Sequence, residues 1–151
     1  MIFRLNDNKY CDDQAVNTLL VRFEDTADSH HIRLITDGMD TMFSPIDGGG
    51  LAQVLTLALE MAVELCDALP EGRERYIKLR STSLPNWCMA ISNPCGEDTR
   101  FDEDGFPLKA DGAQDPRGGV LLDTLRAQHM SGCFSAEDGT FTLFFLHQPS
   151  P

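Results

Sequence analysis

Between residues 14 and 30 the chain reads QAVNTLLVRFEDTADSH, and Val16, Leu19, Leu20, Phe23 and Ala27 recur at steps of three and four. That spacing gathers them on one face of a helix, with Asp12 and Asp13 in the capping region ahead of it. HIRLITD (31–37) alternates instead and predicts a short strand. The stretch 39–50 is turn chemistry ending in three glycines. Residues 51–69 carry the strongest helical pattern, with Leu51, Val54, Leu55, Ala58, Ala62, Leu65 and Leu69 as a buried stripe. Gln53, Thr56, Glu60, Glu64 and Asp67 form a polar stripe beside it, and Leu69-Pro70-Glu71-Gly72 is the stop.

Beyond that stop the period shortens to two. RYIKLRSTS (75–83) and NWCMAISN (86–93) predict a hairpin turning at Leu84-Pro85. Residues 94–119 are polar and rich in Gly, Pro and Asp, a length that in a compact domain marks either a lid or a disordered segment. Phe101, Phe106 and Leu108 are its only evident apolar anchors. A shorter helix (120–130) and a second hairpin (132–148, turning at Asp138-Gly139) close the pattern, with 149–151 as a tail. Five strands and three helices in this order predict an α/β fold: a two-layer α/β sandwich with a mixed, mostly antiparallel five-stranded sheet and three helices on one face. Trp87 and the phenylalanines of FTLFF are expected to fill the sheet–helix core.

Composition narrows the function classes. A length of 151 residues suits one domain, here 1–148, without internal repeats. The net charge of -12 and only 12 scattered Lys and Arg argue against nucleic acid and against an anionic membrane surface. No run of about 18 apolar residues predicts a membrane span, and MIFRLNDNKYCDD lacks the apolar core of a signal peptide. Five scattered cysteines (Cys11, Cys66, Cys88, Cys95, Cys133) without a CxxC read as free thiols of a reducing cytosol, so a cytoplasmic location is expected. His129 and Cys133 stand four apart, but no second ligand pair follows, so no metal site is expected there. The acidic run Glu97, Asp98, Asp102, Glu103, Asp104 lacks calcium-loop spacing and reads as solvated.

Five phrases carry more specific information: YCDDQAVNTLL at the first helix, LALEMAVELCDALPEGRERYIKLR from the second helix onward, AISNP, FDEDGFPLK, and SAEDGTFTLFFL. Together with the order of elements, they resemble the ATP-binding domain of GHKL proteins. The resemblance is greatest to the catalytic domain of quorum-sensing-type receptor histidine kinases, and it runs from Tyr10-Cys11 to Leu146. It implies a fold that clasps ATP between the second helix, the lid loop and a glycine-rich start of the third helix. Glu60 would then hold the acidic position of the second-helix motif, and Glu64 its later glutamate. Asn93 would match an asparagine at a strand end beside the nucleotide. Gly118 and Gly119 would lie where backbone N–H groups approach phosphate.

Three positions depart from that pattern. Leu57 and Met61 stand where the motif has asparagines that face the phosphates and hold Mg²⁺, a cation that wants oxygen ligands. Glu60 is rotated by about 100° from Met61 on the helix and cannot take over. Arg117, or in a shifted register Val120, replaces one glycine of the phosphate loop. The resemblance with these changes implies weak ATP binding at most, without Mg²⁺.

Each candidate also has a plainer reading. Met61 shares a helical stripe with Val54, Ala58 and Leu65 and so fits the core. Glu60 and Glu64 suit a solvated face as well as a general base. Asn93 before Pro94 suits a turn as well as a binding role, and His30-His31 suits a solvated turn better than a phosphoacceptor. Three functions follow: a degenerate ATP-binding domain of a two-component signalling protein, a nucleotide-free interaction module, or a metal-independent adenine-nucleotide sensor. The resemblance implies as partners a histidine-kinase dimerisation domain or a response regulator. No dimerising, His-bearing helix precedes Met1 here, which suits either an excised domain of a longer membrane receptor or a free-standing remnant.

Overall fold

A computed structural model describes residues 9–39, 48–83, 86–97, 99–103, 106–109 and 111–147. Most of the 39–50 loop, the Leu84-Pro85 turn, Asp98 and Asp104 of the acidic run, and the 149–151 tail lie outside the described residues. In chain order the elements are α1 (Gln14–Ser29), β1 (Arg33–Asp37), α2 (Gly48–Asp67), β2 (Tyr76–Thr82), β3 (Cys88–Pro94), α3 (Pro116–Ala127), β4 (Met130–Glu137) and β5 (Thr140–His147). The strands form one sheet in the order β1-β2-β3-β5-β4. β1 runs parallel to β2, and every other pairing is antiparallel. This is the expected two-layer α/β sandwich, with the three helices on one sheet face.

Alternation sets the inner face. Ile77 and Leu79 of β2, Met89 and Ile91 of β3, and Phe141, Leu143 and Phe145 of β5 are all buried against the helices. Trp87 joins them, its ring 5.7 Å from Phe145 and its indole N–H donating to Ser81 Oγ at 3.1 Å. The last hairpin turns at Asp138-Gly139, where both residues have positive φ (51° and 76°), the geometry of a tight type I′ connection.

Two helix starts differ from expectation. α2 takes in its leading glycines and begins at Gly48 rather than 51. α3 begins at Pro116 rather than 120, so Arg117, Gly118 and Gly119 belong to a helix and not to the end of a loop. The reason is local: Asp115 caps the helix and Pro116 supplies its first turn, a strong start signal that outweighs the glycine pair behind it. By length and composition α2 could cross a membrane, but Leu51, Val54, Leu55, Leu59, Ala62 and Cys66 are buried in the core, which explains that apolar character.

The described lid residues dock on the sheet through their anchors. Phe101 stacks on Phe141 (5.8 Å, 9°), and Phe106 lies against Phe134 (6.5 Å). Bridges Phe101–Pro107 and Leu108–Gln114 give the segment local pairing, and Asp102 accepts from the Phe106 N–H at 2.9 Å.

Candidate functional site

The second helix separates residues that are adjacent in sequence. Met61 is 3% exposed, and its side chain forms part of the wall of a cleft between α2 and the lid. Leu65, Pro107, Leu108 and Asp115 help enclose this space of about 310 Å³. A second hollow of about 210 Å³ shares Leu65, Ala68, Leu108 and Lys109 with it and extends to Arg100. Met61 is therefore both a core residue and a cleft residue. Leu57 packs against the core half-buried and lines neither hollow. Glu60 faces a different groove, between α1 and α2, as the turn of about 100° per residue requires. Glu64 borders both spaces.

Two carboxylates of the cleft lining, Glu64 and Asp115, share one cation. Asp115 sits at the start of α3 with its side chain accepting from the Arg117 N–H at 3.0 Å. The Arg117 guanidinium doubles back on the same carboxylate, Nε to Oδ1 at 3.0 Å and Nη2 to Oδ2 at 2.7 Å. From there it crosses to α2, reaching Glu64 Oε2 at 2.5 Å and lying 4.0 Å from Glu60 Oε2. Burial pushes the Asp115 carboxyl up, but the hydrogen bonds and charge of Arg117 outweigh this and hold it below the usual carboxylate range. The Asp115 hydrogen bond in turn raises Arg117, against its own burial, with Glu64 adding to the effect. Arg117 is a fixed cation pinning the N-terminus of α3 to α2.

Gly118 is buried beneath the lid. A Cβ built there would lie 3.1 Å from Cδ1 of Phe106, so the missing side chain makes room for the lid ring. Gly119 has open space in front of it. Asn93 is 1% exposed and donates its amide to the Pro94 carbonyl at 2.9 Å, folded back on its own strand end. His30 is the C-cap of α1, with Nδ1 2.9 Å from Asp67 at the end of α2, while His31 takes a positive φ in the turn.

The donor set can be judged against Mg²⁺. Met61 presents a thioether to the cleft where a hard cation would need oxygen, and Glu64 is engaged by Arg117. These residues do not fit that ion. Among the described residues no group of three or more His, Cys, Asp or Glu side chains could hold a metal, His129 and Cys133 included. Sequence reasoning misses three residues at this site: Asp115, Lys109 and Arg100. The Asp-Pro dipeptide is a legible signal for Asp115. The two cations have none, because only the folding of the lid brings them to α2.

By sequence, no family model and no curated protein matches the chain. By structure it superposes on the catalytic domain of histidine kinase ThkA in a nucleotide-free form, with a TM-score of 0.69 at 14% identity, covering 92% of this chain and 95% of that one. Histidine kinase AdeS of Acinetobacter baumannii gives 0.64 at 18% identity, over 91% of this chain and 64% of that one. ThkA in complex with the response regulator TrrA gives 0.65 at 16%, over 92% and 40%. At such identities the likeness speaks to architecture, and the architecture is consistent over nine-tenths of the chain. The polypeptide has the fold of the catalytic domains of histidine kinases.

Proposed function

We propose that this chain is a degenerate histidine-kinase-type ATP-binding domain of a cytoplasmic two-component signalling system, a pseudo-ATPase whose contribution is docking rather than Mg²⁺-ATP chemistry. The observation that carries the reading is Met61. Its thioether lies in the wall of the cleft between α2 and the lid, at the motif position where the resemblance calls for an oxygen ligand to Mg²⁺. Phosphoryl transfer rests on positioning and on neutralising the phosphates, and a cleft without a metal ligand lacks the larger part of that neutralisation. Arg117 offers partial compensation only, since its guanidinium is committed to Asp115 and Glu64. Glu60 and Glu64 are poor general bases on the same ground: one faces the other groove and the second is ion-paired. The partner is a histidine-kinase dimerisation domain or a response regulator. The response-regulator option is supported by ThkA, a kinase with a domain of this fold, whose complex with the response regulator TrrA is known.

A second reading has its own observation. Lys109 and Arg100 line the two hollows beside Leu65 and Leu108, together with the acidic Glu64 and Asp115, and the two cations could hold the phosphates of an adenine nucleotide without metal. Calorimetric titration with ATP and ADP, each with and without Mg²⁺, separates the two. The pseudo-ATPase reading expects millimolar or weaker dissociation constants, about 4 kcal/mol or less, unchanged by Mg²⁺. Tight, metal-independent binding supports the sensor. Micromolar Mg²⁺-ATP binding, or phosphotransfer to a histidine-bearing helix, overturns both and restores an active kinase domain. Leu57→Asn with Met61→Asn should introduce Mg²⁺ dependence if the rest of the cleft is competent, while burying a polar amide at position 61 lowers stability.

A further inference from the structure

On the far side of α2 from Met61 lies a groove of about 510 Å³ between α1 and α2, with Leu19, Phe23, Leu59 and Val63 as its apolar lining and Arg117 of α3 as a cation already present in it. We propose that this groove docks an amphipathic helix of a partner protein that carries lysines or arginines along one flank. The dimensions fit such an occupant. Along α2 the groove runs from Thr56 to Asp67, about 16 Å or three helical turns. That length matches a helix presenting apolar anchors at i, i+3 or i+4, and i+7.

Charge selects the flank. Glu60, Glu64 and Asp67 follow one another at steps of four and three, so they form one acidic stripe along the α2 rim of the groove. Their side chains are 54%, 64% and 41% exposed, leaving carboxylate oxygens open to an incoming cation despite the contacts with Arg117, His30 and Arg75. The chain's net charge of -12 adds long-range attraction of the same sign. A basic-flanked helix gains on both counts and an acidic-flanked one loses on both.

Occupancy has a consequence for the cleft. Cations arriving at Glu60 and Glu64 compete with Arg117 for those carboxylates and leave it held by Asp115 alone. Docking thereby weakens the clasp between α2 and the start of α3. This proposal goes beyond the nucleotide reading and does not depend on it, because among the described residues neither Met61 nor Lys109 and Arg100 of the lid line the groove, which shares only Glu64 with the cleft.

The test uses a labelled synthetic helix with leucines at the anchor positions and lysines along one flank, followed by fluorescence anisotropy against the whole chain. A counterpart with glutamate at every lysine position controls for charge. Binding is expected to be roughly tenfold tighter for the lysine helix and to weaken as salt is raised. It should be lost in Val63→Arg, checked for intact fold by circular dichroism, and reduced in Thr56→Arg, which alters only the exposed rim. Equal binding of the two helices, no binding of either, or wild-type binding by both variants overturns the proposal. The helix is titrated without nucleotide, so the ATP titration can succeed or fail without deciding any of these outcomes.

Discussion

Helices α1 and α3 begin in the same way and end up doing different things. Asp13 and Asp115 are both N-caps with nearly identical backbone angles (φ -73°, ψ 112° and φ -73°, ψ 116°), and each accepts from a backbone N–H of its first turn. Asp13 accepts from the Val16 N–H at 3.1 Å. Asp115 is buried, accepts from the Arg117 N–H, and also takes two hydrogen bonds from the Arg117 guanidinium. One device starts a helix. In the second case the same device also orients a cation that joins two helices across a cleft. A local sequence rule predicts the cap in both places, and only the tertiary setting distinguishes them.

Removing each cap is the most direct way to break this comparison. Asp115→Ala should destabilise the chain by about 3 kcal/mol, combining a lost cap with a half-buried guanidinium left without its main partner. Asp13→Ala should cost about 1 kcal/mol, the usual value of a cap alone. Equal losses in urea unfolding would mean that the Arg117 clasp adds nothing. Arg117→Ala should fall between them, about 2 kcal/mol, because the Asp115 carboxylate keeps its backbone donor but loses its counter-ion.

Acid titration sharpens the same point. The folded Asp115 carboxyl lies below its ordinary value of 3.8. A group depressed in the folded state contributes stability above its unfolded value, and that contribution is lost as pH falls through the folded one. Wild-type stability should therefore drop below about pH 4 more steeply than that of Asp115→Asn, which has no proton to gain there. Parallel curves would separate Asp115 from the acid response. The smallest expected effect is a rate. Cys11 is buried beside the start of α1, its thiol raised above its usual value by burial. Its alkylation should be slow in wild type and in Arg117→Ala but faster in Asp13→Ala, with exposed Cys133 as the reference thiol in each sample.

How far the molecule is legible follows from the range of each interaction. Periods of 3.6 and 2 come from burial on one face, so α1, the strands and the Asp138-Gly139 turn can be read locally. The starts of α2 and α3 are misplaced because glycine weakens helical propensity, whereas Asp115, Pro116 and the packing of Gly118 under Phe106 settle the second case. At the site, the division between Met61 and Glu60 follows from helical geometry alone. The bridge from Arg117 to Glu64 spans two helices and the whole lid, and no spacing rule connects residues so far apart. Strand order has the same limit: the alternation predicts strands but not that β5 inserts between β3 and β4.

That insertion governs how the chain reaches its folded state. β2 with β3, and β4 with β5, are hairpins joined by short connections, and each can zip soon after collapse. The seam between them, seven residue pairs from Cys88–Leu146 to Pro94–Thr140, cannot close until the lid and α3 have been looped out of the way. Loop closure of that size is entropically costly, so joining the two hairpins is the expected rate-limiting event, and the lid with α3 is the loop being closed. A protease nick in the lid would leave each hairpin intact and turn this event into a bimolecular association, with refolding that depends on concentration where the uncut chain's does not.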